Sequence, residues 1–252
     1  MKALITGASS GIGREMAIYL SELGCDLILV ARNKEKLEEL QKSLKTKVQI
    51  IIIDLANEKK IKDLYMITKN ENIDILINNA GFGLFGDYSS VDLLTELNMI
   101  DVNIKAVHIL TRMYLKDFTK RNSGYILNVA SSAGLLKGGP LMSCYYATKS
   151  YVVSFTNALY EELRRNKSKV RVAVLCPGPV KTNFDNVAHV KFNLKQLDAR
   201  YVARYAITKL LSTNKLTIIP GTNIKLGVFF QIFLPTKTLL KITYKIQERK
   251  RK

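Results

Sequence analysis

Tyr145 and Lys149 are the two side chains of this sequence that best suit acid–base chemistry together. They are four residues apart, so a helix would bring both to one face, one turn from each other. A free tyrosine has a pKa of about 10 and is a poor base at neutral pH. A neighbouring ammonium favours the phenolate, so we expect Lys149 to lower the pKa of Tyr145. The same pair, taken alone, is also typical of an ordinary amphipathic helix face.

A glycine-rich turn near the amino terminus is the second chemical feature. Residues 6–13 read Thr-Gly-Ala-Ser-Ser-Gly-Ile-Gly and follow the first apolar run. Glycines at such a turn let the backbone approach a pyrophosphate, while amides at the start of a helix point toward it. The spacing differs from the commoner G-x-G-x-x-G, but the position after the first strand favours a dinucleotide site. The predicted cofactor contacts in this turn are Gly7, Ser9, Ser10, Gly11, Ile12 and Gly13.

The residue that ends the second apolar run bears on the choice of nicotinamide cofactor. Folds that use NAD place a carboxylate there, which hydrogen-bonds the ribose hydroxyls. Residues 29–32 read Leu-Val-Ala-Arg, so the carboxylate is absent. The guanidinium of Arg32 can form paired hydrogen bonds with a 2′-phosphate, although an arginine at a strand end can also simply face solvent. The missing acid favours NADP(H) as the cofactor.

Alternating strands and helices must position these residues. Short runs rich in Val, Ile and Leu indicate strands buried on both faces, which is typical of a parallel sheet with helices on each side. The predicted strands are residues 2–6, 26–31, 48–54, 73–78, 124–130, 170–176 and 216–220. The clearest predicted helices are residues 11–23, 34–45 and 145–165. The predicted fold class is therefore α/β, a single-domain Rossmann-type doubly wound parallel sheet of about seven strands.

The composition limits the classes of protein to consider. A chain of 252 residues can form one large domain, and 47% hydrophobic with 24% charged residues is typical of a globular protein. The three cysteines have no metal-like spacing, so we predict neither a metal site nor a disulfide framework, and a cytoplasmic location. The first strand starts at once, which leaves no room for a signal peptide.

Further motifs follow in an order that resembles the short-chain dehydrogenase/reductase family, from Lys2 to about Thr182. Asn-Asn-Ala-Gly at residues 78–81 resembles the family's strand-four motif, and Pro-Gly-Pro-Val-Lys-Thr at residues 177–182 resembles its nicotinamide-binding segment. The resemblance implies a larger set of cofactor contacts, which adds Asp54, Leu55, Asn79, Ala80, Gly81, Tyr145, Lys149, Pro177, Gly178, Val180 and Thr182.

The resemblance also implies the catalytic roles. The family's Tyr-x-x-x-Lys pattern selects Tyr145 over Tyr146, and its thirteen-residue spacing to the tyrosine selects Ser132 over Ser131. The serine would hold the substrate oxygen, the lysine would also bind the nicotinamide ribose, and an asparagine would position a proton-relaying water. The implied catalytic residues are Asn103, Ser132, Tyr145 and Lys149.

The function implied is an NADP(H)-dependent oxidoreductase that reduces a ketone, 3-oxoacyl thioester or aldehyde, with Tyr145 as the general acid. One alternative is oxidation of a sugar, polyol or hydroxy acid, and another is a catalytically silent NADP-binding sensor or scaffold. An NADP preference favours reduction, because cells usually keep that pool reduced. Residues 183–200 would form the substrate lid; its apolar residues predict a hydrophobic wall, and His189 is a candidate substrate contact.

The C-terminal segment, residues 236–252, follows a catalytic domain predicted to end at residue 235. It carries seven basic residues against one acid, and Leu239, Ile242 and Ile246 recur at helical spacing. Such a helix either packs on the domain or lies on an anionic lipid surface.

The whole chain is basic, with 39 Lys and Arg against 21 Asp and Glu and a net charge of +18. Much of this excess is also explained by a lysine-rich composition. We predict no nucleic-acid partner, because no recognition motif accompanies the charge. The family resemblance implies a homodimer or homotetramer that associates through the helix after Asn103 and the helix that bears Tyr145.

Overall fold

The computed structural model describes residues 1–182, 184 and 196–249. Seven strands form its centre, namely β1 (Lys2–Thr6), β2 (Asp26–Ala31), β3 (Val48–Ile52), β4 (Ile75–Asn78), β5 (Tyr125–Val129), β6 (Arg171–Leu175) and β7 (Thr217–Ile218). All neighbouring strands are parallel, in the order β3-β2-β1-β4-β5-β6-β7. The order reverses direction between β1 and β4, which makes the crevice at their carboxyl ends the expected place for a ligand.

Helices cover both faces of the sheet. Those described are α1 (Gly11–Glu22), α2 (Lys34–Ser43), α3 (Glu58–Thr68), α4 (Leu93–Ile100), α5 (Val107–Lys120), α6 (Ser143–Arg165), α7 (Ala199–Ser212), α8 (Thr222–Phe230) and α9 (Thr236–Glu248). A π-helical turn (Asp101–Ala106) joins α4 to α5, and 3₁₀ turns lie at Ser132–Leu135 and Gln231–Phe233. Among the described helices, none is both long and apolar enough to cross a membrane.

The core lies on the two sides of the sheet, as continuous apolar strands require. Along β1, Ala3 and Ile5 belong to the cluster beneath α1 and α7, while Leu4 belongs to the cluster beneath α3 and α5. Burial on both faces explains why each strand reads as an unbroken apolar run. The predicted seven-stranded parallel sheet is thereby confirmed.

Strand ends differ from the predictions by one or two residues at most sites. β3 ends at Ile52, two residues before its predicted end, because the Asp54 carboxylate accepts a hydrogen bond from the backbone N–H of Ala56 and begins a turn. β7 is reduced to Thr217–Ile218, the two residues that pair with β6. These shortened ends place polar side chains at the carboxyl edge of the sheet.

The C-terminal segment forms α9, which begins at residue 236 and packs on the domain. Leu239, Thr243 and Gln247 are buried on its inner face. The side-chain amide nitrogen of Gln247 donates a 2.6 Å hydrogen bond to the hydroxyl of Tyr146 on α6. The last turn of the chain that the structure describes is therefore tied to the helix that carries Tyr145.

Candidate active site

A cavity of about 970 Å³ lies at the carboxyl edge of the sheet and extends from the glycine-rich turn to α9. Eighteen of the predicted site residues line it: Gly7, Ser9, Ser10, Gly11, Ile12, Arg32, Asp54, Leu55, Asn79, Ala80, Gly81, Ser132, Tyr145, Lys149, Pro177, Gly178, Val180 and Thr182. Two other predicted residues do not line it but lie against residues that do: Gly13 against Asn79, and Asn103 against Gly81. The fold thus brings together residues that are far apart in sequence.

Glycine is required at the turn between β1 and α1. Gly7 has a φ of 65°, in the left-handed region that favours glycine. A Cβ on Gly13 would lie 2.4 Å from Nδ2 of Asn79 and 2.5 Å from the carbonyl oxygen of Gly7. That asparagine nitrogen donates to the carbonyl oxygens of Thr6 and Gly7, at 3.0 and 3.2 Å. The loops after β1 and β4 therefore form one rigid cradle, which fits the close backbone approach that a dinucleotide pyrophosphate needs.

Two cations lie at the end of the cavity beside β2. Arg32 and Lys36 both line it, and neither forms an ion pair with the residues that the structure describes. Between them, Asn33 caps α2 by accepting a 2.8 Å hydrogen bond from the backbone N–H of Lys36. The cap fixes the start of the helix, so Lys36 comes to the same edge as Arg32. Sequence reasoning missed Lys36, because its position depends on where α2 begins.

Tyr145 and Lys149 are both buried, and burial controls their ionisation. Nζ of Lys149 donates a 3.0 Å hydrogen bond to the carbonyl oxygen of Val129 and lies 5.9 Å from the centroid of the Tyr145 ring. Burial lowers the pKa of Lys149 to about 8. Burial also raises the pKa of Tyr145 to about 12, against a smaller lowering by a hydrogen bond from Ser131. The predicted lowering of the tyrosine pKa by Lys149 is therefore wrong, because burial raises that pKa and Lys149 is not among the groups that shift it.

The serine that contacts Tyr145 is Ser131, whereas the sequence spacing selected Ser132. The Ser131 hydroxyl hydrogen-bonds with the Tyr145 side chain and accepts a 3.1 Å hydrogen bond from the backbone N–H of Ala133. Ser132 instead begins the 3₁₀ turn, and its backbone N–H donates to the carbonyl oxygen of Pro177 at 2.8 Å. Both serines line the cavity. A prediction from spacing depends on the number of residues in the loop between the serine and the tyrosine. The side-chain contact with Tyr145 does not depend on that number.

Asn103 lies on the π-helical turn and is fully buried. Its Oδ1 accepts from the backbone N–H of Phe82 at 3.1 Å, and its Nδ2 donates to the Phe82 carbonyl oxygen and to Oγ1 of Thr148, at 2.9 and 3.1 Å. A Cβ on Gly81 would lie 2.8 Å from Oδ1 of Asn103 and 3.2 Å from Nζ of Lys149. Asn103 therefore holds the loop after β4 against α6.

The other end of the cavity has a mainly apolar wall. The ring of Phe184 lies 5.5 Å from that of Tyr145, between centroids. Further wall residues that sequence reasoning did not assign to a site come from α8, α9 and the turn between them; they are Ile224, Val228, Phe230, Gln231, Leu234, Leu239, Ile242, Thr243, Ile246 and Gln247. The helical spacing of apolar residues in α9 was the only signal for them in the sequence.

Of the two histidines, His108 is among the described residues and His189 is not. His108 lies away from the cavity: its Nδ1 is 2.7 Å from the hydroxyl of Tyr151, and its ring stacks on Phe155 at 5.1 Å. His189 and most of the predicted lid, residues 183 and 185–195, lie outside the described residues.

Comparisons with known proteins agree with this geometry. A family model described as short chain dehydrogenase matches residues 1–191. An uncharacterized oxidoreductase of Staphylococcus epidermidis is 33% identical over 225 residues, which cover 86% of this chain and 96% of that protein. A short-chain dehydrogenase from Sphingobium yanoikuyae, solved in complex with NADPH, has a TM-score of 0.82 at 26% identity, covering 92% of this chain and 93% of that one. A family member from Burkholderia phymatum, solved in complex with NAD, has a TM-score of 0.83 at 26% identity and covers 92% of both chains.

Proposed function

The chain belongs to the short-chain dehydrogenase family, and we propose that it is an NADP(H)-dependent oxidoreductase that reduces an apolar ketone, 3-oxoacyl thioester or aldehyde to the alcohol. One observation carries this proposal. Tyr145, Lys149 and Ser131 meet at one cavity, which also contains the glycine cradle and the two cations beside β2.

The choice of NADP(H) rests on Arg32 and Lys36. Two cations without carboxylate partners among the described residues suit a phosphate on the ribose, and a guanidinium can bind it through paired hydrogen bonds. Proteins of similar structure include one solved with NADPH and one solved with NAD, so the proposal depends on these two residues of the chain itself. When bound, the nicotinamide supplies the hydride that reduces the carbonyl carbon.

Tyr145 is proposed as the proton donor to the carbonyl oxygen. Because its pKa is about 12, it carries its proton at neutral pH and can donate it. The Ser131 hydroxyl contacts Tyr145, so both groups can hydrogen-bond the same substrate oxygen and stabilise its developing charge. The Lys149 ammonium, which has a pKa of about 8, then stabilises the phenolate that Tyr145 becomes. A water held near Asn103 would return the proton from solvent.

The substrate class follows from the wall of the cavity. Aromatic and aliphatic side chains such as Phe184, Phe230 and Ile242 surround the space beyond Tyr145, and this favours an apolar carbonyl compound over a sugar or polyol. Lys181, at the entrance to the lid, is suited to a phosphate-bearing acyl carrier.

The test is a panel of ketones, aldehydes and 3-oxoacyl thioesters, followed by loss of NADPH absorbance. Tyr145→Phe should lower kcat by about 10²- to 10⁴-fold while NADPH still binds. Tyr160→Phe, a change of the same size on the same helix but outside the cavity, should keep parental activity. Parental turnover in Tyr145→Phe would overturn the assignment, and NADPH binding without turnover on any compound in either direction would favour the silent sensor.

We further propose that the protein is cytoplasmic and associates with copies of itself. All three cysteines are free thiols, which suits a reducing compartment. On the outer faces of α5 and α6, the rings of His108, Tyr151 and Phe155 stack against one another, and such a surface aromatic cluster suits an interface between subunits.

A further inference from the structure

Five large apolar side chains are exposed together on α8 and the turn that follows it. Their exposed fractions range from 54% to 70%. We call them the α8 apolar surface: Leu226, Phe229, Phe230, Ile232 and Phe233. The ring of Phe229 lies 5.5 Å from that of Phe230 and 5.6 Å from that of Phe233, between centroids, so these three rings are contiguous. Leu226 is three residues before Phe229 on α8, which places it on the same face, and Ile232 adjoins Phe233 in the chain. A contiguous exposed apolar surface of this kind marks an interaction site.

A basic stripe lies beside it in sequence. Within α9, Lys237, Lys241 and Lys245 are exposed and recur every four residues, which aligns them along one side of the helix. From residue 221 to residue 249 the only acidic residue is Glu248. Exposed apolar side chains followed in the chain by a row of exposed lysines are complementary to an anionic lipid surface. The apolar side chains would enter the acyl boundary, and the lysines would meet the headgroups.

We propose that the α8 apolar surface and the α9 lysines dock this protein on an anionic lipid surface. A second copy of the chain is a poor occupant of this particular surface, because the exposed α9 lysines that follow it would face those of the copy. Phe230 belongs to the apolar surface and also lines the cavity, as do Ile242 and Ile246 of α9. Docking therefore places the substrate end of the cavity at the lipid boundary, although the docking itself does not depend on the proposed reaction.

Vesicle sedimentation tests the proposal. The parent protein should sediment with vesicles of equal parts phosphatidylcholine and phosphatidylglycerol, and roughly tenfold or more weakly with phosphatidylcholine alone. The triple variant Phe229→Ser/Ile232→Ser/Phe233→Ser changes residues that do not line the cavity. It should lose roughly tenfold or more in partitioning to the mixed vesicles, because each lost ring or aliphatic chain removes apolar area from the lipid boundary. The control Met66→Ser/Ile67→Ser, at two apolar residues of α3 that are each 56% exposed, should partition like the parent.

The charge contribution has its own matched pair. Lys237→Gln/Lys241→Gln/Lys245→Gln should weaken binding to the mixed vesicles, by roughly fivefold for each lysine that reaches the headgroups. The control variant has the same net charge but changes exposed lysines elsewhere: Lys42→Gln/Lys116→Gln/Lys120→Gln. Equal losses in the two variants would overturn the proposal, because they would mean a diffuse attraction by net charge.

Hydrogen exchange on the parent protein gives a measurement that needs no variant. Adding mixed vesicles should slow exchange in residues 222–249 and leave the amides of α3 unchanged. Absence of sedimentation with mixed vesicles, or sedimentation without protection of residues 222–249, overturns the proposal. Protection of these residues by an acidic soluble protein, with no binding to vesicles, would overturn it in favour of a protein partner.

Discussion

The two adjacent serines offer a sharp test of the catalytic geometry. Ser131→Ala removes a hydroxyl that hydrogen-bonds with Tyr145, whereas Ser132→Ala removes the neighbouring hydroxyl from the same cavity wall. Both substitutions delete one oxygen from adjacent positions. They differ in which hydroxyl contacts the tyrosine.

The expected size of the effect follows from what Ser131 contacts. Loss of one donor that stabilises charge on a reacting oxygen lowers kcat by about 10²- to 10³-fold. The same hydroxyl accepts from the backbone N–H of Ala133, so Ser131→Ala should also cost about 0.5 to 1.5 kcal/mol of the free energy of unfolding. That cost is small beside a typical stability of about 5 to 15 kcal/mol, and the variant should remain folded.

The assay is kcat at saturating NADPH for the best substrate of the carbonyl panel, with the Kd for NADPH and the urea midpoint measured alongside. We expect Ser131→Ala to lose about 100-fold in kcat and Ser132→Ala to lose less than about tenfold, with NADPH affinity similar in both. The reverse order, with the large loss in Ser132→Ala, would refute the geometric assignment and restore the assignment made from sequence spacing.

Four further predictions concern the cofactor, the buried lysine, the glycine cradle and the assembly. Arg32→Ala should lower kcat/KM with NADPH by about 10- to 100-fold, and Lys36→Gln should lower it by less. An equal loss of kcat/KM with NADH would contradict the proposal that these residues bind the 2′-phosphate. Because the pKa of Lys149 is about 8 when folded and ordinarily 10.5, its ammonium destabilises the folded state below pH 8. Lys149→Met should therefore have a larger free energy of unfolding than the parent near neutral pH. In urea unfolding, the difference between the two proteins should shrink as the pH rises from 8 toward 10.5, and a difference that does not change with pH would contradict this prediction. Gly13→Ala would place a Cβ 2.4 Å from Nδ2 of Asn79. We therefore expect the free energy of unfolding, measured in urea, to fall by about 1 to 3 kcal/mol and NADPH binding to weaken. An unchanged urea midpoint would show that the cradle can relax around the added methyl group. Phe155→Glu should shift the mass measured by light scattering toward the monomer, whereas an unchanged mass would remove α6 from the proposed interface.

The sheet and the glycine cradle could be predicted because their signals are local. The first strand is a short run that is apolar on both faces, and the glycine-rich turn follows it without a break. At Gly13, the absence of a side chain is required by contacts with the loop after β4, and the residue type alone already indicated a close approach. The boundaries were less predictable, because turns such as that at Asp54 end a strand through a side-chain hydrogen bond.

The rest of the site depends on tertiary contacts. Lys36 reaches the cavity because the Asn33 cap sets the start of α2, and Gln247 reaches it because α9 packs on Tyr146. The serine assignment depended on the number of residues in the loop between the serine and Tyr145, which does not determine which hydroxyl contacts the tyrosine. In each case the residue type is visible in the sequence, but its place in the site depends on how two elements pack against each other.

Lys149 affects the ionisation of Tyr145 differently at equilibrium and during proton transfer. As the pH rises, Lys149 loses its proton near pH 8, well before Tyr145 does near pH 12. The ammonium is then absent when the tyrosine titrates, so it cannot lower that pKa. In the proposed reduction at neutral pH the order is different, because Lys149 is still charged when Tyr145 gives up its proton. At the 5.9 Å between Nζ and the ring centroid, the attraction is about 3 kcal/mol for an effective dielectric constant of about 20. The net rise of the tyrosine pKa from 10.0 to about 12, in which burial outweighs the lowering by Ser131, also corresponds to about 3 kcal/mol. In the proposed reduction the ammonium therefore offsets a free-energy cost of the same order as this net rise, while the resting tyrosine remains protonated and ready to donate.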